Sequence, residues 1–208
     1  MCDIIINVCG LIISGLIGLL TALLIEKAKR PSLHILTCDH TEHKINGLPM
    51  RSVHLLIRHS GVRCFKKWIY PAPALACVVR IRIFREDGVE ALPAPFDARW
   101  TGSQQPPEFQ IGGNGIWPSV FEMLKKRDIF PHTEEKVDIC IKYQGEDSCY
   151  VFNNSSYVLG YKSEKQKLLH GSYIVEATVQ SGDIAISKRV RLRNDFPKDD
   201  FRIEEIQS

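Results

Sequence analysis

Residues 38–43 read Cys-Asp-His-Thr-Glu-His and so concentrate the side chains that usually bind zinc. His34, His54, His59 and Cys64 lie near this segment in the sequence. A zinc site needs three or four ligands that converge in a tetrahedron, and the spacing here matches no ligand template. We also expect His54 on the solvent side of a strand. The segment is therefore predicted to be a polar loop, and a small metal- or ligand-dependent enzyme is kept only as a third interpretation.

Two other kinds of catalytic motif are incomplete or absent in this chain. Residues 112–115 read Gly-Gly-Asn-Gly before a possible short helix at 118–126, and a helix start behind such a loop could bind an anion. The Lys-Ser/Thr pair of a phosphate loop and the preceding parallel strand of a dinucleotide fold are both missing. Gly-x-Ser-x-Gly and His-Glu-x-x-His are absent from the sequence, and no spacing organises Ser, His and Asp residues. We therefore predict no catalytic residue, no metal ligand and no cofactor, and expect that the protein is not an enzyme.

Residues 63–71 form a segment in which cations and aromatic side chains alternate. Its six notable members are Arg63, Phe65, Lys66, Lys67, Trp68 and Tyr70. Trp and Tyr favour the headgroup level of a bilayer, where Lys meets anionic lipid, and exposed aromatic and Arg side chains are also frequent in protein interfaces. We predict that this loop contacts a protein or lipid headgroups. The alternative is that Phe65 and Trp68 only cap one end of the domain.

An apolar segment at the start of the chain predicts that the rest of the protein is held at a membrane. Residues 4–25 carry no charge, and three basic residues follow between 27 and 30. As a helix the apolar segment would reach about 33 Å, enough for a hydrocarbon core of about 30 Å. No basic residue precedes it, and no small-x-small cleavage site precedes Glu26. These features predict an uncleaved transmembrane anchor, in contrast to a signal peptide.

The flanking charges also predict the orientation of this anchor. Basic residues stay on the cytoplasmic side, so we expect the amino terminus outside and the large domain in the cytoplasm. The seven cysteines are odd in number, irregularly spaced and without a CxxC pair, which is typical of reduced cytosolic thiols. The alternative is the inverted topology, a surface-exposed adhesion or envelope module. Glycosylation at Asn153 or Asn154 would favour that alternative.

Small residues recur at a spacing of four along the predicted membrane helix. They are Gly10, Ser14, Gly18 and Ala22. Such a stripe allows two helix backbones to approach closely in lipid. It predicts a homodimer, or docking of this helix onto another membrane protein.

The chain after the anchor has the composition of one mildly basic domain. All 27 Lys and Arg residues follow the apolar segment, against 23 of the 24 acidic residues because Asp3 precedes it, so this part carries about +4. That charge suits a surface near anionic lipid and is too weak to indicate nucleic-acid binding. About 180 residues are enough for a single domain with its own core.

Period-two alternation of apolar and polar residues predicts strands through most of this domain. Cys77, Val79, Ile81 and Ile83 should share one face of the clearest strand. A later strand should place Val137, Ile139, Ile141 and Tyr143 together on one face. Residues 40–49 are predicted to be a loop, and 195–208 a charged, frayed tail.

The pattern Leu168-x-x-Gly171-x-Tyr173 begins a strand in which Tyr173 can bury its ring and return its hydroxyl to a loop carbonyl. This start resembles the tyrosine corner of immunoglobulin-like and fibronectin-type sandwiches. The resemblance implies an all-β fold: residues 1–30 as anchor and basic flank, 31–194 as an immunoglobulin-like β-sandwich, and 195–208 as the tail. The strand and the Ala98-Arg99-Trp100 triplet also resemble uncharacterised prokaryotic membrane-anchored proteins, which implies no activity. Arg99 next to Trp100 suggests a cation–π or stacking role, and the alternative is that the indole ring simply packs at the sheet edge.

Overall fold

A computed structural model describes residues 2–45, 47–61, 70–103, 124–158, 161–195 and 200–206, with the side chains of the first helix described from Ile13 onwards. The elements in chain order are α1 (Cys2–Lys29), β1 (Leu33–Thr37), β2 (Thr41–Ile45), β3 (Leu48–His59), β4 (Ala74–Arg85), β5 (Phe96–Asp97), β6 (Arg99–Trp100), β7 (Arg127–Ile129), β8 (Glu134–Tyr143), β9 (Cys149–Val151), α2 (Asn154–Val158), a 3-10 turn (Glu164–Gln166), β10 (Lys167–Leu168), β11 (Gly171–Ser181), β12 (Ile184–Asn194) and β13 (Phe201–Glu205).

The strands form two antiparallel sheets that share one apolar core. The first sheet has the order β1-β3-β8-β9-β10, with β2 also paired to β3 and β6 to β8. The second has the order β13-β12-β11-β4-β5, with β7 also paired to β4. Leu55 and Ile139 of the first sheet and Ile81 and Val175 of the second belong to the same buried cluster. The all-β class is therefore confirmed, and the arrangement is β-sandwich-like.

The alternation predicted for β4 is confirmed. Cys77, Val79, Ile81 and Ile83 are buried in the shared core, while Arg80 and Arg82 are exposed on the opposite face. The exposed face is covered by ion pairs between neighbouring strands, such as Arg189 of β12 with Glu176 of β11 at 2.7 Å. Polar residues on this face and apolar residues on the other follow from the two-residue period of a strand.

The alternation predicted for β8 is wrong because the strand contains a bulge. Val53 of β3 pairs with Cys140, but the next residue, His54, pairs with Asp138, so Ile139 is an extra residue. An extra residue reverses the face on which the following side chains lie.

Side chains on the two sides of the bulge consequently pack in different places. Val137 and Ile139 lie in the core between the sheets, whereas Ile141 and Tyr143 join a second cluster with Met50. Burial raises the pKa of the Tyr143 hydroxyl. The outer face of the first sheet is thus partly buried, and β3 and β8 carry buried residues on both of their faces.

Two segments that were predicted to be irregular form edge strands. Residues 41–45 of the predicted polar loop are β2, which forms a hairpin with β3 around Gly47. Residues 201–205 of the predicted frayed tail are β13, which pairs with β12 and places Phe201 in the core with no exposed surface. Edge strands with polar side chains can pair their backbones without the apolar alternation that marks a central strand.

Tyr173 has the environment that the sequence pattern predicts. Its ring is buried, and its hydroxyl donates a hydrogen bond to the carbonyl oxygen of Leu169 at 2.8 Å. Gly171 precedes it with φ of +143°, a conformation that favours glycine. Burial raises the pKa of the Tyr173 hydroxyl. The predicted hydrogen bond is therefore present at the start of β11.

A buried lysine connects the two sheets at the end of the sandwich away from α1. Lys142 of β8 has no exposed surface, and its Nζ donates to Asn194 Oδ1 at 2.9 Å and to the Asp195 carbonyl at 2.7 Å. Asn194 belongs to β12 of the other sheet and donates from Nδ2 to the Leu169 carbonyl at 2.7 Å. Burial lowers the pKa of the Lys142 ammonium, and neighbouring acidic groups offset only part of that effect.

We expect Lys142 to make the stability of the protein depend on alkaline pH. Because its pKa is lower in the folded state, the folded protein binds fewer protons than the unfolded chain as the pH approaches the ordinary lysine value of 10.5. The free energy of unfolding contributed by Lys142 should therefore rise with pH in that range. Denaturant titrations of the full chain and of Lys142→Met, in the same detergent, measure this effect. The free energy of unfolding of the parent minus that of Lys142→Met should increase with pH, and a constant or decreasing value would contradict the prediction. Titration of the tyrosines and cysteines cancels in this comparison, because both proteins contain them.

Candidate functional site

Helix α1 meets the sandwich at one end, where several connecting segments come together. We call this surface the helix end and define it as residues 26–32, 59–61, 70–76, 128–134 and 181–183. The backbone N–H of Ala72 donates to the Lys29 carbonyl at 2.8 Å, and Arg30 lies 3.8 Å from Asp183 in the β11–β12 turn. These contacts fix the last turn of α1 directly against the sandwich.

Large apolar side chains are exposed at the helix end. Tyr70 is 85% exposed, and Leu75 and Phe130 are each 56% exposed. Leu75 follows Ala74 and Phe130 follows Ile129, and these two preceding residues are register partners between β4 and β7. The two exposed side chains therefore come from neighbouring strands beside the base of α1.

The backbone that carries these side chains is held by specific contacts. Ala76 adopts φ of +49°, and its N–H donates to Asp128 Oδ1 at 2.7 Å. Ser181 donates its hydroxyl to the Leu75 carbonyl at 2.8 Å. His132 adopts φ of +64° against Gly61, where an added Cβ would lie 2.5 Å from the histidine ring. Left-handed conformations at residues other than glycine persist where surrounding contacts determine them, so these loops are fixed in shape.

The partner-binding loop predicted from the sequence is only partly placed by the structure. Its members Arg63, Phe65, Lys66, Lys67 and Trp68 lie outside the described residues, which resume at Tyr70. The flanking residues Gly61 and Tyr70 both belong to the helix end. The role of this loop stays a prediction, with its two ends at the base of α1.

The helix-pairing residues lie on α1 as the sequence requires. Ser14, Gly18 and Ala22 are in the part of α1 whose side chains are described, and Gly10 lies in the helix before that part. A Cβ added at Gly18 would meet nothing within 4 Å, and Thr21 donates its hydroxyl to the Ile17 carbonyl at 2.8 Å within the helix. Pairing through this stripe stays a prediction.

Among the residues that the structure describes, no helix is both long enough and apolar enough to cross a bilayer.

Arg99 and Trp100 are both buried. Trp100 belongs to β6, a two-residue strand that pairs with β8 at the side of the first sheet, and its ring has no exposed surface and packs in the shared core. Its indole N–H donates to the Lys125 carbonyl at 2.8 Å. Arg99 is 5.9 Å from the ring centroid of Phe152, which is therefore its aromatic neighbour in place of Trp100.

A buried polar network, which sequence reasoning missed, surrounds Asp138 on the outer face of the first sheet. Asp138 Oδ1 lies 2.8 Å from His54 Nδ1, although the ring N–H is not aimed at that oxygen. Asp138 Oδ1 also accepts a hydrogen bond from the Thr101 hydroxyl at 2.8 Å, and Asp138 Oδ2 lies 3.5 Å from Arg99. His54 and Asp138 are almost completely buried, so the expectation that His54 faces solvent is wrong.

The opposite side of the His54 ring contacts two hydroxyl groups. Its Nε2 lies 3.0 Å from Ser52 Oγ and 2.9 Å from Thr41 Oγ1. A hydroxyl, an imidazole and a carboxylate in this order are the parts of a nucleophilic relay. Ser52 and His54 have no exposed surface, however, so a substrate has no route to either side chain in this structure. The arrangement can hold β2, β3, β8 and β6 together, and that is the role its burial supports.

Two sequence features could have revealed this network. Asp138 interrupts the apolar run of β8, and Ser52 alternates with His54 on one face of β3. A charge in the middle of a central strand indicates a buried partner whenever both faces of the strand are covered. No local pattern indicates that the outer face is covered, because β6 and the Thr101 turn come from a distant part of the chain.

The histidine-rich segment is dispersed along the edge of the sheet. His34 contacts Ser60 Oγ at 3.1 Å, while His40 lies 4.0 Å from Glu42. Among the described residues, no group of three or more His, Cys, Asp or Glu side chains is placed to hold a metal ion.

Both asparagines of the glycosylation patterns are buried in the fold. Asn153 and Asn154 are each 5% exposed, and Asn153 Oδ1 accepts hydrogen bonds from the Ser156 N–H and hydroxyl at 3.0 and 3.1 Å. A glycan on either side chain would not fit this folded domain.

No protein-family model, no curated protein and no solved structure matches this chain.

Proposed function

We propose that this protein is a single-pass, membrane-tethered binding and scaffolding module without catalytic activity. Its amino terminus lies outside the cell and its immunoglobulin-like sandwich lies in the cytoplasm. The mechanism is tethering, in which α1 holds the domain at the bilayer and the loops of the helix end engage a protein or lipid headgroups. The observation that carries this proposal is the exposed apolar surface of α1.

Every described α1 side chain from Ile13 to Lys27 is exposed, and eight of them are large aliphatic groups. A helix that is apolar on all sides is favourable only when lipid or protein surrounds it. The described apolar stretch, residues 13–25, rises about 20 Å, and the uncharged residues 4–12 of the sequence extend it to about 33 Å. That length suits a hydrocarbon core of about 30 Å.

The charge distribution and the cysteines support the cytoplasmic orientation. Lys27 and Lys29 lie in the last turn of α1, and Arg30 follows it on the sandwich side. Basic residues favour the cytoplasmic side of a membrane. The cysteines whose state is described, at 38, 77, 140 and 149, are all free thiols, as is usual in a reducing compartment.

Protease accessibility tests this orientation on the full chain with an epitope after Ser208. We expect the epitope to survive protease added to intact cells and to disappear once the membranes are opened. The chain should also stay in the membrane fraction during alkaline extraction. The matched control combines Asp3→Lys with Lys27→Gln and Lys29→Gln, which moves the positive charge to the other side of α1 and should expose the epitope in intact cells.

Two results would contradict the proposal in different ways. Loss of the epitope in intact cells would make the protein a surface-exposed module of inverted topology. Release by alkaline extraction would show that α1 does not anchor the chain, and its apolar surface would then need a protein partner.

A further inference from the structure

We propose that the helix end of the sandwich docks on the headgroup layer of the bilayer that holds α1, with phospholipid headgroups as its ligand. Tyr70, Leu75 and Phe130 sit at headgroup depth, and Lys27 and Lys29 contact lipid phosphates. This inference rests on the proposed membrane anchor and chooses lipid over protein as the partner of this surface.

The distance from the apolar segment to the sandwich leaves no room for a spacer. The helix is continuous from Ile25 to Lys29, a rise of about 6 Å over four residues. The polar layer on each side of a bilayer is about 5–7 Å thick. The Lys29 carbonyl already accepts a hydrogen bond from Ala72 of the helix end. With Ile25 at the boundary of the bilayer's hydrocarbon core, the helix end therefore lies within or against the lipid headgroups.

The side chains exposed there suit that layer. Tyr70 and Phe130 are aromatic, whereas the large apolar residues exposed toward the other end of the sandwich, Leu48, Val89 and Leu169, are all aliphatic. Aromatic rings, and above all those with a polar tip such as tyrosine, concentrate at membrane interfaces. The helix end thus differs in chemistry from the far end.

The charged residues next to α1 suit a layer of lipid phosphates. Lys27 and Lys29 are exposed at the base of α1, where the exposed Glu26 precedes them. The three other acids of this surface are engaged within the protein: Asp183 lies 3.8 Å from Arg30, Asp128 accepts from the Ala76 N–H at 2.7 Å, and Glu134 pairs with Arg58. Lys27 and Lys29 are therefore the cations placed to attract lipid phosphates.

Depth-dependent fluorescence quenching tests the docking on the full chain. The chain is reconstituted in vesicles of phosphatidylcholine and phosphatidylserine, with bromine on the shallow part of the acyl chains. Leu75→Trp and Phe130→Trp each add an indole at the helix end, and Val89→Trp and Leu169→Trp are matched controls at exposed positions of the far end. The fluorescence of the parent chain is subtracted from that of each variant. We expect the bromine to quench most of the remaining fluorescence of Leu75→Trp and Phe130→Trp, and to leave that of the two controls unchanged.

The outcomes separate the docking from the anchor. If the chain resists alkaline extraction but the indoles at 75 and 130 are quenched no more than the controls, the docking is wrong and the anchor stands. If those indoles are unquenched but shifted to shorter wavelength, a protein or a second copy covers the surface, which also overturns the docking. Release of the chain by alkaline extraction overturns both proposals.

Discussion

Asp138→Asn should lower the free energy of unfolding by about 3–5 kcal/mol, the usual cost of removing the charge of one partner from a buried ion pair. Asp138 is 1% exposed and lies 3.5 Å from Arg99, whose side chain is 4% exposed. Asparagine keeps the shape but removes the charge, so the buried guanidinium group would lose the carboxylate that lies 3.5 Å from it. The loss should appear in a denaturant titration of the full chain in detergent, followed by circular dichroism.

The control for this prediction lies on the same strand. Glu134 of β8 pairs with Arg58, but both side chains are at least 40% exposed. An exposed pair contributes about 0–1 kcal/mol, so Glu134→Gln should have little effect. If Asp138→Asn costs no more than Glu134→Gln, the buried network does not stabilise the sheet.

A double variant tests whether Arg99 and Asp138 act as a unit. Arg99→Met alone should also be destabilising, since it leaves the Ser103 carbonyl without the donor now at 2.8 Å and leaves Asp138 with one charge partner fewer. Combined with Asp138→Asn, the total should be smaller than the sum of the two single effects, because each change already removes the shared interaction. Simple addition of the two effects would contradict direct coupling.

The parts of the fold that the sequence predicted are those in which each strand has one buried face. Cys77, Val79 and Ile81 alternate with exposed arginines along β4, and the pattern before Tyr173 marks a strand start with its own hydrogen bond. In both cases the information lies within a few neighbouring residues. Local periodicity is then sufficient, because the two-residue repeat of a strand separates core from solvent.

The features of the fold that sequence reasoning missed depend on contacts between residues far apart in the chain. His54 looks solvent-facing only until β6 and the Thr101 turn, more than forty residues later, are placed over that face. The bulge at Ile139 shifts the pattern by one residue, and no composition signal marks it. Edge strand β13 has the charged composition of a tail, and its contact with the core comes from Phe201 and the partly buried Ile203.

The candidate site could be predicted only as a location. Sequence reasoning found the apolar segment, the basic flank and the aromatic loop that ends at Tyr70. It could not find Leu75 and Phe130, which are ordinary apolar residues in strand-like segments. Their exposure follows from the pairing of β4 with β7, a contact between residues more than fifty positions apart.

Trp100→Ala should also lower the free energy of unfolding by about 3–5 kcal/mol, the usual cost of truncating a buried aromatic residue. Trp100 is the largest side chain among the described residues with no exposed surface, and β6 contributes only two residues to the sheet. The ring is therefore the main contact that holds this short strand against the core. Denaturant titration of the full chain, followed by circular dichroism, measures the loss.

Trp100→Phe separates the two contributions of this side chain. Phenylalanine keeps most of the apolar ring but cannot donate the hydrogen bond that the indole N–H makes to Lys125 at 2.8 Å. We expect a loss of about 1 kcal/mol from that bond, with a smaller contribution from the reduced ring. Tyr70→Ala, at an exposed aromatic residue, should change stability by less than about 0.5 kcal/mol. If Trp100→Ala resembled Tyr70→Ala, the place of β6 in the sheet would not depend on this ring, which would contradict the prediction.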